Sequence, residues 1–162
     1  MRNALIVGGI SVVAIGIGVF VFLYGGKAFG VAPSTEIIVP FIELAQGTQS
    51  SVSRRTNYLI TSESQLDELW NMTDAKGIPP TVDFTKNYVA GVFSGKEPTT
   101  GYAITVSKVM DVKSRIVTVT LVSPDTSCIL AQSMTAPYQI ISLPKTSLPF
   151  AHEDQTITVS CK

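Results

Sequence analysis

The sequence has few of the residues that catalysis and metal binding require. It contains one histidine, His152, and two cysteines, Cys128 and Cys161. A structural zinc site needs about four Cys or His ligands, and a Ser-His-Asp or Cys-His site would depend on His152 alone. Glu153 and Asp154 follow this histidine in what we interpret as a surface loop before the last strand. The sequence therefore predicts no enzyme, no metal site and no cofactor, and an enzyme that uses His152 is the disfavoured alternative.

Charged residues are scarce as well. Lysine and arginine together number 12, as do aspartate and glutamate, and charged residues make up 15% of the chain. A net charge near zero without a basic stripe excludes the usual electrostatic footprint of a nucleic-acid-binding protein. No glycine-rich phosphate loop precedes the predicted helix. Neither nucleic acid nor a small-molecule cofactor is therefore expected as a partner.

Residues 3–26 contain no charge at all. Within them, residues 4–24 form an apolar run that, as a helix rising about 1.5 Å per residue, would cross a hydrocarbon layer roughly 30 Å thick. A cleaved signal peptide is the alternative, but the apolar part of a signal peptide usually spans only about 7 to 15 residues. We therefore predict three parts: an N-terminal membrane anchor (or uncleaved signal) over 1–24, a linker over 25–36 and a β-rich domain over 37–162.

The two cysteines fit a domain that is exported. Cys161 shares strand parity with Ile157 and Val159, so two buried free thiols are one possibility. In an exported domain, a disulfide between Cys128 and Cys161 is the better interpretation. The anchor and the cysteine pair together predict a single-pass protein of the cell membrane with its domain on the extracytoplasmic side.

The domain itself alternates short strands with turns. We expect roughly six to eight strands, well above the usual β content, and one short helix. Ser62 and Gln65 form a capping box at the start of that helix, and Leu66, Leu69 and Trp70 fall on one apolar stripe. The predicted fold is mainly β, with a minor α+β character. It is an antiparallel sandwich-like domain whose helix covers one end or edge.

One stretch organises the domain. Residues 88–93 are apolar and uncharged, which predicts a strand buried on both faces. From Tyr102 onward the pattern alternates, which predicts a half-buried strand. The loop between these strands is the candidate partner-binding site, although a simple hairpin connection explains it equally well. Its candidate residues are Glu97, Pro98, Thr99, Thr100 and Gly101.

The same stretch resembles the C-terminal domain of the PrcB family, which are accessory subunits of a bacterial surface protease complex. The resemblance is carried by Val82-Asp83-Phe84, the apolar strand, Gly95-x-x-Pro98-Thr99-Thr100-Gly101-Tyr102 and Thr135–Ile141, and it covers most of residues 55–145. It implies a protein partner, a peptidase or its complex, that the domain stabilises or presents without turnover.

A shorter similarity gives an alternative function. Pro98-Thr99-Thr100-Gly101-Tyr102 resembles the loop that chagasin-type inhibitors insert into the clefts of cysteine peptidases. The other inhibitory loops of that family have no clear counterpart in this sequence. This similarity implies a peptidase inhibitor that acts through Glu97–Gly101.

Overall fold

The computed structural model describes residues 36–161, which form two four-stranded sheets and, within that range, one α-helix. The strands and the helix, in chain order, are β1 Ile37–Ile38, β2 Ile42–Gly47, β3 Thr56–Ile60, α1 Glu63–Asn71, β4 Asn87–Phe93, β5 Ala103–Asp111, β6 Arg115–Pro124, β7 Tyr138–Pro144 and β8 Phe150–Val159. No helix within the described range is long and apolar enough to cross a membrane. The predicted anchor over 1–24, and the predicted linker up to residue 35, lie outside it.

The two sheets pack face to face, as the sequence predicts. The first sheet has the strand order β1-β5-β6-β8, and the second has the order β2-β7-β4-β3. Aliphatic side chains from both sheets fill the space between them. The predicted mainly β, sandwich-like fold is thus confirmed for the described domain.

The pairing of β8 departs from the predicted antiparallel arrangement. All other strand pairs are antiparallel, but β8 runs parallel to β6 over ten residue pairs, from Arg115–Phe150 to Pro124–Val159. The chain leaves the first sheet after β6, forms β7 in the second sheet and then returns. A connection of this length allows a strand to enter a sheet in the parallel direction.

Strand β4 is buried on both faces, as its continuous apolar sequence predicts. Ala90 and Val92 point between the sheets, whereas Val89 and Phe93 pack on the other side of β4. On that other side, helix α1 presents its apolar stripe, with Leu66 and Leu69 1% exposed and Trp70 7% exposed. The helix therefore covers a face of the second sheet and not, as predicted, an end or an edge. The described domain has three layers.

The N-terminal part of the domain forms two short strands at the edges of the two sheets. β1 pairs with β5 in the first sheet, and β2 pairs with β7 in the second. Pro40 lies between them and cannot donate a backbone hydrogen bond to either ladder. The segment therefore crosses from one sheet to the other at this residue.

Candidate functional site

The candidate loop carries the chain from one sheet to the other. It leaves β4 in the second sheet and enters β5 in the first, so the two strands are not neighbours and the loop is not a hairpin connection. Gly95 and Gly101 have φ angles of +88° and +92°, a region that residues with a Cβ rarely adopt. A Cβ on Gly95 would also lie 2.8 Å from the backbone of Arg54. These two glycines set the bends between which the candidate residues lie.

Backbone hydrogen bonds hold the loop against residues 130–136. The Glu97 amide donates to the Thr135 carbonyl at 2.8 Å, and the Thr135 amide donates back at 3.0 Å. The Thr100 amide donates to the carbonyl of Ala131 at 3.2 Å. The Thr135 hydroxyl donates to the carbonyl of Thr99 at 3.0 Å. The loop is therefore preorganised by a neighbouring segment that is distant in sequence.

The side chains of the loop differ in how far they reach the solvent. Pro98 and Gly101 are exposed, whereas Glu97, Thr99 and Thr100 are half-buried. Burial raises the pKa of the Glu97 carboxyl, because a charged carboxylate loses solvation in such a position. The hydroxyl of Thr99 donates to the carbonyl of Thr100 at 3.1 Å. Pro98 is thus the candidate side chain that the structure exposes most freely.

The predicted disulfide is confirmed, and it fastens the segment that supports the loop. Cys128 is bonded to Cys161, with their Cα atoms 5.4 Å apart. The Asp125 amide donates to the carbonyl of Val159 at 2.9 Å, next to the bridge. The Asp125 carboxylate accepts hydrogen bonds from the amide and hydroxyl of Ser127, which lower its pKa. The chain after β6 is therefore tied both covalently and by hydrogen bonds to the end of β8.

Apolar side chains that sequence reasoning did not single out lie on this supporting segment. Ile129 is fully exposed and Met134 is 60% exposed. Leu130 lies about 3.5 Å from the position of a Cβ on Gly101, which places this segment directly beside the candidate loop. The sequence contains this isoleucine and this methionine, but only the structure shows that they are exposed. We call the candidate loop and residues 128–135 together the loop pole.

The histidine lies in a strand and not in a loop. The sequence predicts a loop over 144–154, but β8 begins at Phe150, and His152 is exposed and pairs with Val117 of β6. His152 lines a cleft of about 180 Å³ at the open side of the sandwich, together with Leu59, Phe150 and other mostly apolar residues.

Asp154, which lies two residues after His152 and on the same face of β8, is already engaged. Both carboxylate oxygens of Asp154 accept hydrogen bonds from the Arg55 guanidinium, at 2.9 and 2.7 Å. Within residues 36–161, no group of three or more His, Cys, Asp or Glu side chains is arranged to hold a metal ion. The described site therefore offers contact surfaces and hydrogen-bond groups, and no cluster of catalytic groups surrounds His152.

Taken together, these features define a β-sandwich domain in which hydrogen bonds hold the candidate loop at one end. Residues 88–144 match the family model described as PrcB C-terminal, an accessory type of domain that is not a known catalytic family. The resemblance stated from the sequence is confirmed over this range, which runs through β4 to the end of β7 and includes the loop pole. The match does not include Val82-Asp83-Phe84 or the rest of residues 55–87. No curated protein and no solved structure matches the chain.

Proposed function

We propose that the protein is a membrane-anchored, extracytoplasmic protein-binding domain that serves as an accessory or stabilising subunit of a surface protease complex. The observation that carries the proposal is the PrcB C-terminal match over residues 88–144, which contains the whole loop pole. The partner in this proposal is a peptidase or its complex, and the anchor is residues 4–24. The role is docking, without turnover by this chain.

The loop pole supports docking through its combination of rigidity and exposed apolar surface. A preorganised loop loses little conformational entropy when it binds, and the hydrogen bonds to Thr135 and Ala131 restrain the backbone in this way. Pro98 is exposed, and the segment that is hydrogen-bonded to the loop carries the exposed apolar side chains of Ile129 and Met134. Exposed apolar patches with a polar surround are typical of protein–protein contact sites.

The direct test is capture of a peptidase from native membranes by the full-length chain. Ile129→Asp and Pro98→Asp change exposed side chains of the loop pole without removing a backbone donor that the fold uses, and each should weaken peptidase retention about tenfold or more. Ile78→Asp is the matched control, because Ile78 is also an isoleucine in a loop and is 90% exposed. Equal retention by the three variants would contradict docking through the loop pole.

The inhibitor alternative rests on the same loop and is separated by one further measurement. An inhibitor that inserts Glu97–Gly101 into an active-site cleft would compete with a covalent active-site label of the captured peptidase. An accessory subunit would leave labelling unchanged or would increase it by stabilising the peptidase. Labelling with and without the bound domain therefore decides between the two roles.

A further inference from the structure

Strand β8 is an edge strand that lacks the protective features of the other three edges. Edge strands of natural proteins are commonly shortened, bulged or interrupted by proline, because their free backbone groups can pair with another chain. β1 has two residues and lies beside Pro40, β2 has a register shift between Glu43 and Ala45, and β3 has five residues. β8 has ten residues in unbroken register with β6 and contains no proline.

The backbone of β8 has a defined free side. The carbonyls of Pro149 and Val159 both point toward β6, because they accept hydrogen bonds from the amides of Arg115 and Asp125. Since backbone groups alternate along a strand and the register is unbroken, the odd-numbered residues face β6. The even-numbered residues His152, Asp154, Thr156 and Thr158 therefore direct their amides and carbonyls outward. No other strand of the described domain pairs with them.

We infer that this edge pairs with β8 of a second copy of the chain, antiparallel and about a two-fold axis at Gln155. In such a dimer, the two residues of each hydrogen-bonded pair must both have outward backbone groups, so both carry even numbers. The two-fold axis, perpendicular to the sheet, therefore lies between the two copies of a single residue. An axis at Gln155 sets His152 opposite Thr158 and Asp154 opposite Thr156, which are the residues with outward backbone groups. The two first sheets then join into one continuous sheet.

The charges of β8 favour this register over one with its axis at Asp154. With the axis at Gln155, Glu153 faces Ile157 of the second copy and Ala151 faces Val159, so no like charges lie directly opposite each other. An axis at Asp154 would instead oppose two aspartates, and directly opposed like charges destabilise a sheet. Ile157 and Val159 are each 47% exposed in the single chain, and this pairing would cover part of both side chains.

Cysteine cross-linking of the full-length chain tests the axis directly. In the inferred dimer, Gln155 faces itself in a pair without backbone hydrogen bonds, where Cα atoms lie about 4.5 Å apart, a distance that allows a disulfide. The Gln155→Cys variant should therefore form a covalent dimer under mild oxidation. Ala151→Cys is the matched control, because the two copies of residue 151 would lie roughly 27 Å apart at about 3.4 Å per residue. Cross-linking of both variants to the same extent would overturn the inferred axis.

Sedimentation of the full-length chain in mild detergent tests the interface without a new cysteine. Thr156→Pro removes an outward amide from each copy and none that bonds to β6, so it should raise the dimer dissociation constant about tenfold or more. Gln155→Glu keeps the size of the side chain but opposes two carboxylates at the axis, and it should weaken the dimer near neutral pH and restore it in acid. A native chain that stays monomeric at all concentrations would overturn the inference. A dimer that neither substitution weakens would overturn the inference as well. The two copies would then pair through another surface, and the β8 edge would be free for a different protein.

Discussion

Arg115 carries a charge into the junction between the two sheets. Its side chain is 3% exposed, and its guanidinium makes two hydrogen bonds to the Asp111 carboxylate at 2.8 and 2.7 Å. The guanidinium also donates to the carbonyl of Pro144 in the second sheet and lies 5.9 Å from the ring centre of Phe150. A buried charge of this kind is tolerated only when it is paired and hydrogen-bonded. Arg115 thus stabilises the fold at the end of the sandwich opposite the loop pole.

Replacement of Asp111 by asparagine tests this residue. We expect Asp111→Asn to lower the free energy of unfolding by about 2 kcal/mol, below the range for a fully buried pair because the Asp111 side chain keeps 17% exposure. Asp67→Asn is the matched control, since Asp67 is an exposed residue of helix α1 and an exposed charge contributes little to stability. Chemical denaturation of the two variants measures the difference, and equal stability would contradict a structural role for the pair.

The Asp111–Arg115 pair also gives stability a defined pH dependence. Hydrogen bonds from Arg115 lower the pKa of Asp111, so the folded state holds the ionised carboxylate more strongly than the unfolded state does. The contribution is therefore fully present above the unfolded pKa, near 3.8, and is lost as the pH falls through the lower folded pKa. In acid, the native chain should lose its stability advantage over Asp111→Asn. A stability advantage that persists at a pH below the folded pKa of Asp111 would contradict the assignment of this pH dependence to the Asp111–Arg115 pair.

At the scale of elements, the disulfide supports the candidate loop from a distance. Cys128 and Cys161 are 33 residues apart in sequence, and the chain that follows Cys128 supplies the carbonyl of Ala131 and both backbone groups of Thr135 to the loop. Fixing one end of this segment to β8 restricts the positions that it can take. We therefore expect the order of the loop to depend on a covalent bond outside the loop.

Removal of the bridge should loosen the loop pole more than the core. The double variant Cys128→Ser with Cys161→Ser should lower the free energy of unfolding by roughly 3 to 4 kcal/mol on the chain-entropy account. Amide hydrogen exchange at Glu97, Thr100 and Thr135 should accelerate, whereas amides of β4 should open only with global unfolding. Unchanged exchange at Thr100 in this variant would contradict the supporting role of the bridge.

The sequence predicted elements better than it predicted their partners. The apolar run of β4, the alternating pattern after Tyr102 that forms β5 and the cap at Ser62 are local patterns, and all three are present. In the cap, the Gln65 amide donates to the Ser62 hydroxyl, while the Gln65 side chain accepts from the amide of Thr61. Such features depend on residues close in sequence, so periodicity and capping rules can find them.

Local sequence patterns could not predict which of the two sheets each strand joins. Whether the chain after β4 turns back as a hairpin or crosses to the other sheet depends on contacts between Glu97 and Thr135, which are far apart in sequence. The start of β8 was missed for a related reason. Residues 151–155 are exposed and, apart from Ala151, polar, so no alternation between apolar and polar residues marks the first half of the strand, and only pairing with β6 defines it.

At the scale of the whole molecule, the two ends of the sandwich differ in character. The loop pole presents exposed Ile129 and Met134 beside a glycine-bounded loop. The opposite end holds the Arg115 pair and the polar connection over residues 145–149. Functional residues of sandwich folds often lie in the loops at one end, where a rigid scaffold positions them. This asymmetry is why we place the proposed partner at the loop pole.

Site-specific photo-crosslinking in native membranes tests that central claim most directly. In one full-length variant, a photoreactive residue would replace Pro98. In the other, it would replace Ser147, an exposed residue at the opposite end. The account predicts that the Pro98 variant forms a covalent adduct with a peptidase and that the Ser147 variant does not. A peptidase adduct formed only from Ser147, or none from either position, would contradict docking of a peptidase at the loop pole.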